Sequence, residues 1–321
     1  MLRFVQTIEG TPVLVHAGPF ANIAHGNSSV IADKLALSLV GKDGFVVTEA
    51  GFGADVGFEK FVNIKARASG LFPDAAVIVA TVRALKTHGG GPAVTPGAAL
   101  PKEYATENLD LLRAGMSNLI HHIQTIKNVF GIKLVVAINR FKTDTEAELQ
   151  LVKSECMRNG ADGADLCDNW TLGGEGAMEL SRALIAACDK PATSMCKPLY
   201  SLEESIKCKI ERIVREVYGG SGKVDYSEKA EQKIEMYTRL GFDKLAVCIA
   251  KTQYSLTSDP SVKGAPHGFD SFPIADIRLS AGAGFLVPIA GAVQTMPGLP
   301  TRPAFFAIDI DPETQEISGL F

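Results

Sequence analysis

Apolar residues recur in two rhythms along the first 200 positions. Short runs at 11–16, 45–48, 75–82 and 132–138 read as strands, and spacings of three and four between them mark helices. Ile31, Leu35 and Leu39 fall at i, i+4 and i+8, with Asn27 or Ser28 available as a cap and Gly41 as a stop. A helix follows over 54–68. The run 75–82 is apolar throughout, as expected of a strand buried on both faces of a parallel sheet. The clearest helix carries Leu109, Leu112, Met116, Leu119, Ile123, Ile126 and Phe130 on one stripe. His121 and His122 lie between stripe positions and are expected to face solvent. Thr143 or Asp144 caps a helix running to about 160, and Gly173-Gly174 precede another ending near Asp189.

This alternation predicts an α/β fold with a doubly wound, mostly parallel sheet. After Pro198 the pattern changes. Two charged amphipathic helices, about 203–217 and 227–240, lead into a strand at 245–250. Gly/Pro-rich chain follows, with strand-like runs at 274–280 and 304–310. A boundary near 200 is expected, separating an α/β domain (1–200) from a smaller C-terminal α+β domain (201–321).

Composition narrows the function classes. Of the 321 residues 46% are hydrophobic, enough for a sizeable core and too many for a disordered chain. With 32 Lys and Arg against 36 Asp and Glu, there is no basic surplus for a nucleic-acid backbone. No membrane span is expected either: the uncharged stretch from Leu279 is broken by Gly282, Gly284, Pro288 and Gly291. The N-terminus has no secretory pattern, and six cysteines without a CxxC pair read as free thiols in a reducing compartment.

In open α/β sheets ligands gather at the carboxyl ends of strands, so the loops there were weighed for chemistry. Residues 16–26 are small and run into a helix start, which suits an anion; Asn22, His25 and the local amides are candidate donors. A tight turn explains the same glycines. Residues 49–55 are Gly-rich but lack GxGxxG spacing, and Asp55 is as readily a helix cap as a phosphate or metal neighbour. Arg83, Lys86 and His88 before three glycines suggest an anion-binding loop or a solvated turn. Phe141 and Trp170, on neighbouring strand-end loops, could sandwich a flat heterocycle, or simply pack. There is no GxxxxGK[ST]: Gly41-Lys42 is followed by Asp43, and Gly222-Lys223 by Val224.

Taken together, HAGPFANIAHG (16–26), VVTEAGFGAD (46–55), VATVRALKTHGG (79–90), FKTDTEAEL (141–149), GGEGA (173–177), SAGAGF (280–285) and MPGLPTRP (296–303) resemble the formate–tetrahydrofolate ligases, in their eukaryotic wording, over nearly the whole chain. The resemblance implies an ATP-dependent carbon–nitrogen ligase of one-carbon metabolism, in which formate, ATP and tetrahydrofolate give 10-formyltetrahydrofolate, ADP and phosphate through formyl phosphate. It implies that Asn22 and Ile23 line the formyl-phosphate pocket, that Phe141, Leu166 and Trp170 hold the pteridine, and that Ser280 and Ala281 approach the adenine. Mg²⁺ with ATP, a monovalent cation, a homo-oligomer and a cytoplasmic or mitochondrial setting belong to the same expectation, with no nucleic-acid or membrane partner. Lys142 departs from the proline of bacterial members. The family's GEGKS/T phosphate loop lies upstream of the HAGPF segment. This sequence is therefore read as a P-loop-NTPase-like core without its phosphate loop, either a fragment or a chain completed by another. The rival reading is a non-catalytic folate-binding or oligomerisation module derived from the ligase.

Overall fold

The computed structural model describes the chain except residues 1, 17, 19, 22, 95–99, 192–194, 267, 292, 294–300, 303, 315–316 and 320–321. Strands β1 (Arg3–Gln6) and β2 (Pro12–Val15) form an antiparallel hairpin. The 11–16 run thus pairs locally and does not start the parallel sheet. Helix α1 (Val30–Val40) is capped by Ser29, whose hydroxyl accepts from the Ala32 amide at 3.0 Å. Its buried residues are Ala32 and Asp33, while Ile31 and Leu39 are exposed, so the expected apolar stripe points outward. Residues 45–48 form no strand, and Val47 is 82% exposed. An apolar run becomes a strand only where a neighbour takes its backbone hydrogen bonds.

Helix α2 (residues 54–69) contains two wide turns, Ala54–Phe58 and Phe61–Ala66. Every residue from 59 to 66 is buried. After it come β3 (Ala75–Ala80), α3 (Val82–His88), α4 (Leu109–Gln124), β4 (Lys133–Asn139), α5 (Glu146–Arg158), β5 (Gly163–Cys167), the short α6 (Asn169–Leu172) and α7 (Met178–Asp189). Among the described residues β3, β4 and β5 make a parallel three-stranded sheet in that order. α7 lies along all three strands and α5 along β4 and β5. Residues 134–138 of β4 are all buried, as a strand covered on both faces must be. β3 differs from expectation: as an edge strand it leaves Val77 41% and Val79 61% exposed, because among the described residues no element covers that face.

The α4 stripe behaves as its spacing requires. Leu112, Met116, Leu119, Ile123, Ile126 and Phe130 are all buried. α5 starts at a capping box: the Thr145 hydroxyl accepts from the Glu148 amide, and the Glu148 carboxylate accepts from the Thr145 amide. The cap is therefore two residues beyond the expected Thr143, or one beyond Asp144.

The later part contains α8 (Ile206–Glu216), β6 (Val224–Tyr226), α9 (Glu228–Arg239), β7 (Ala246–Val247), β8 (Phe272–Ile274), β9 (Asp276–Ser280), β10 (Phe285–Ile289), β11 (Asp309–Ile310) and β12 (Ile317–Ser318). β10 pairs parallel with β7 and antiparallel with β9, and β6 pairs parallel with β8. The 274–280 run is thus divided between two strands. The 304–310 run splits into a helical turn, Ala304–Ala307, and β11. One hydrophobic cluster runs from Phe61 through Ile123, Tyr200 and Ile213 to Leu286. All six cysteines are free, and no helix among the described residues is long and apolar enough to cross a membrane.

Candidate functional site

Two parallel strands set up the first site. Asn139 and Cys167, the last residues of β4 and β5, sit opposite each other, and the Arg140 amide donates to the Cys167 carbonyl at 3.2 Å. The chain leaves both strands side by side. Between the exits lies a cleft of about 540 Å³ lined by Arg140, Phe141, Lys142, Asp168 and Thr171. Phe141 is 38% exposed, and its backbone is fixed by Asp144: the Phe141 amide donates to the Asp144 carboxylate at 2.9 Å. Leu166, half-buried, lies opposite Ile138 beneath the exits. Trp170 stands on α6 between the lining residues Asp168 and Thr171, 94% exposed. An indole left in water on a rigid short helix contributes little to the core. Phe141 and Trp170 thus follow the carboxyl ends of β4 and β5, while Leu166, within β5, packs against the hydrophobic core.

Residues 16–26 and 49–55 pack on each other. The Gly51 amide donates to the Gly26 carbonyl at 2.8 Å, and Asn27 bridges Ala50. Gly26 has φ +65°, and a side chain there would strike Ala21, so only glycine closes this turn. Lys60, fully buried on α2, donates to the carbonyls of Ala21 and, at 3.2 Å, Ala24. Ile23 is half-buried within this turn, and Asn22 lies outside the described residues. The Ser280–Gly284 turn joins β9 to β10, with Ala281 exposed. Just beyond it, Phe285 meets the His25 ring edge-on at 6.4 Å, which links this turn to the 16–26 loop. The Ser280–Gly284 turn belongs to a different sheet from the Phe141 cleft.

Arg83, Lys86 and His88 do not form a loop. They are helical, on α3, and point to three different places. Lys86 is buried in an ion pair with Glu148 at 2.6 Å. Arg83 lies over Phe141, and His88 accepts from the Gly264 amide at 3.1 Å. Asp55 is no helix cap: it is buried, 2.7 Å from Lys251 and 4.0 Å from His122. Asp55 and His122, with His88, Asn118, Gln253 and Ser255, line a small polar cavity of about 120 Å³. Burial alone would raise the Asp55 carboxyl, but the charge of Lys251 and its hydrogen bond hold it below its ordinary value. Burial pushes His122 down to about 4, so it is neutral at physiological pH. The expectation that His121 and His122 face solvent is therefore wrong: His121 bonds the Val217 carbonyl at 2.8 Å. A helix packed between a sheet and later chain is buried on more than one stripe, which the 3–4 spacing alone does not reveal.

Beside Lys60, the Glu59 carboxyl is fully buried and pushed up to about 7 by desolvation, although Asn63 donates to it at 2.7 Å. Here the folded protein holds a proton that the unfolded chain releases near 4.5. Stability from this group is present at low pH and declines as pH rises from about 4.5 to 7, by up to about 3 kcal/mol. Urea unfolding of Glu59→Gln across that window should show this slope removed. An unchanged slope would mean the carboxyl ionises normally in the fold.

The comparisons decide the family. The formate–tetrahydrofolate ligase family matches residues 2–321. The chain belongs to the formate–tetrahydrofolate ligase family. It is 57% identical over 316 residues to the formate–tetrahydrofolate ligase of Spinacia oleracea, covering 98% of this chain and 49% of that one. To the cytoplasmic C-1-tetrahydrofolate synthase of Homo sapiens it is 55% identical over 319 residues, 99% of this chain and 34% of that one. The human mitochondrial monofunctional C1-tetrahydrofolate synthase is 55% identical over the same length, of which this chain covers 32%. This ligase-family chain thus spans about half the length of its plant relative and a third of the synthases.

Proposed function

We propose that these residues serve the ligase reaction: ATP phosphorylates formate, and N10 of tetrahydrofolate attacks the formyl carbon, releasing phosphate. The observation that carries this reading is the cleft where two parallel strands end, with Phe141 in its lining and the exposed Trp170 between the lining residues Asp168 and Thr171. Two aromatic faces suit a flat pteridine, with Leu166 as a further apolar contact. The 20–26 turn, with Asn22 and Ile23, would take formyl phosphate, whose oxygens call for amide donors in a partly enclosed setting. The Ser280–Ala281 turn would meet the adenine. The described residues include no group of three or more His, Cys, Asp or Glu side chains fit to hold a metal ion, so Mg²⁺ is assigned no ligands here and a monovalent cation none.

The arrangement is proposed as a doubly wound, P-loop-NTPase-like α/β domain over 1–200, with a C-terminal domain over 201–321. Self-association is proposed too, since Val77 and Val79 leave apolar surface on β3 open.

Formate- and ATP-dependent synthesis of 10-formyltetrahydrofolate tests the reading. It is measured on the chain alone and on the chain joined to a segment carrying a GxxxxGK[ST] loop. The expected result is turnover only in the joined polypeptide, because no such loop occurs in this sequence to cradle the phosphates. Folate binding without turnover in both would favour the non-catalytic module, and no folate binding in either would overturn the assignment.

A further inference from the structure

One face of the Phe141 ring is already taken. Arg83, half-buried on α3, places its guanidinium carbon 4.0 Å from the Phe141 ring centroid. The same guanidinium donates to the Thr143 hydroxyl at 3.2 Å, two residues further along the loop. α3 is itself locked to α5 by the buried Lys86–Glu148 pair, so the arginine projects from a fixed base. Backbone and ring are thus held separately: Asp144 fixes the Phe141 amide, and Arg83 fixes the ring.

We infer that Arg83 is a positioning residue for folate, covering one face of Phe141 so that the other is presented, already oriented, to the pteridine. The inference rests on the proposal that Phe141 stacks on the pteridine. A phenyl ring on an exposed loop samples several rotamers, and a ligand that stacks on it must fix one of them. A guanidinium lying against the ring fixes it beforehand and contributes a cation–π attraction. Lysine has a cation but no flat fork, so it would hold the ring less well and lose the Thr143 bond.

The test compares Arg83→Met, Arg83→Lys, Phe141→Ala and the Arg83→Met/Phe141→Ala double variant. Tetrahydrofolate is titrated against Trp170 fluorescence, ADP binding and thermal melting serve as controls, and all are run on the 321-residue chain. Arg83→Met should weaken tetrahydrofolate binding about five- to tenfold and leave ADP affinity unchanged. Arg83→Lys should fall between wild type and Arg83→Met. The double variant should bind no more weakly than Phe141→Ala, because Arg83 acts only through that ring. Unchanged folate affinity in a folded Arg83→Met variant overturns the inference, as do losses that multiply in the double variant. If Arg83→Met does not fold, Arg83→Lys decides: weaker folate binding at a wild-type melting temperature supports the role, and wild-type affinity ends it. Should Phe141→Ala itself leave folate binding untouched, the folate reading of the cleft fails, and this inference with it.

Discussion

A Trp170→Ala variant is expected to melt with the wild type and to bind tetrahydrofolate at least about tenfold more weakly. The two halves of that result have separate causes. Trp170 is 94% exposed, so truncation removes almost no buried contact and opens no cavity. Against the pteridine, the same indole would give about 1 kcal/mol of stacking beyond the area it covers, and the lost burial adds to that. Affinity for adenine nucleotide should stay as it is. Calorimetric titration is the appropriate measurement, since the variant no longer carries the chain's one tryptophan. Phe141→Ala should weaken folate similarly, with a modest stability cost because Arg83 loses its partner. Unchanged folate affinity in the folded Trp170→Ala protein would remove this residue from the site.

The largest loss of stability is expected from one buried charge pair. Lys86 and Glu148 are 1% and 0% exposed and 2.6 Å apart. Glu148 also accepts from the Asn108 and Thr145 amides, and Lys86 donates to the Thr106 carbonyl at 2.8 Å. Glu148→Ala strands a buried ammonium ion, and Lys86→Met a buried carboxylate. Either should cost about 3–5 kcal/mol, whereas replacing both by apolar residues should cost less than the sum. The pH dependence has a definite sign. Burial opposes ionisation of Glu148, but its bonds to Lys86 and the two amides bring it below the ordinary value. Its contribution is therefore complete above the unfolded carboxylate value of 4.5 and is lost as pH falls through the lower folded value. Urea titrations of the two single variants and the double variant measure the coupling; additive losses would mean the pair does not act as a unit.

The sequence revealed the elements whose evidence is local. The α4 stripe and the loop exits at Phe141 and Trp170 follow from spacing, whereas the caps fall at Ser29 and Thr145, one or two residues beyond the expected Asn27 or Ser28 and Thr143 or Asp144. What it hid depends on distant partners. β5 reads Gly-Ala-Asp-Leu-Cys, a weak strand by composition, and it exists because β4 offers it a parallel edge. The run at 45–48 is a better strand by composition, and it has no such edge. Lys60, Lys86, Lys209 and Lys251 look like surface residues in a sequence, yet each is buried on carbonyls or carboxylates contributed from elsewhere in the chain. Arg83, Lys86 and His88 looked like one anion-binding loop because their side chains were charged and close together. Helical geometry sends them apart. The Asp55–His122–Lys251 centre joins residues nearly 200 positions apart, and no spacing rule could pair them.

Helix α2 reaches most of these places at once. Its buried polar side chains extend outward in several directions. Asp55 meets Lys251, Lys60 the Ala21–Ala24 turn, and Lys65 meets Asp33 at 2.7 Å. Asn63 accepts from the Leu199 amide at 2.7 Å, and Arg67 donates to the Tyr200 carbonyl at 2.6 Å. In most proteins surface loops open one at a time, each at its own small free energy. Here, freeing any of these segments pulls a charged or amide group away from a largely buried helix. Amide hydrogens in the 20–27 turn, around 199–201 and beside Lys251 should therefore exchange at similar rates, set by one shared opening. Equal rates would mark the loops around this helix as a single cooperative unit; widely different rates would mean that they breathe independently.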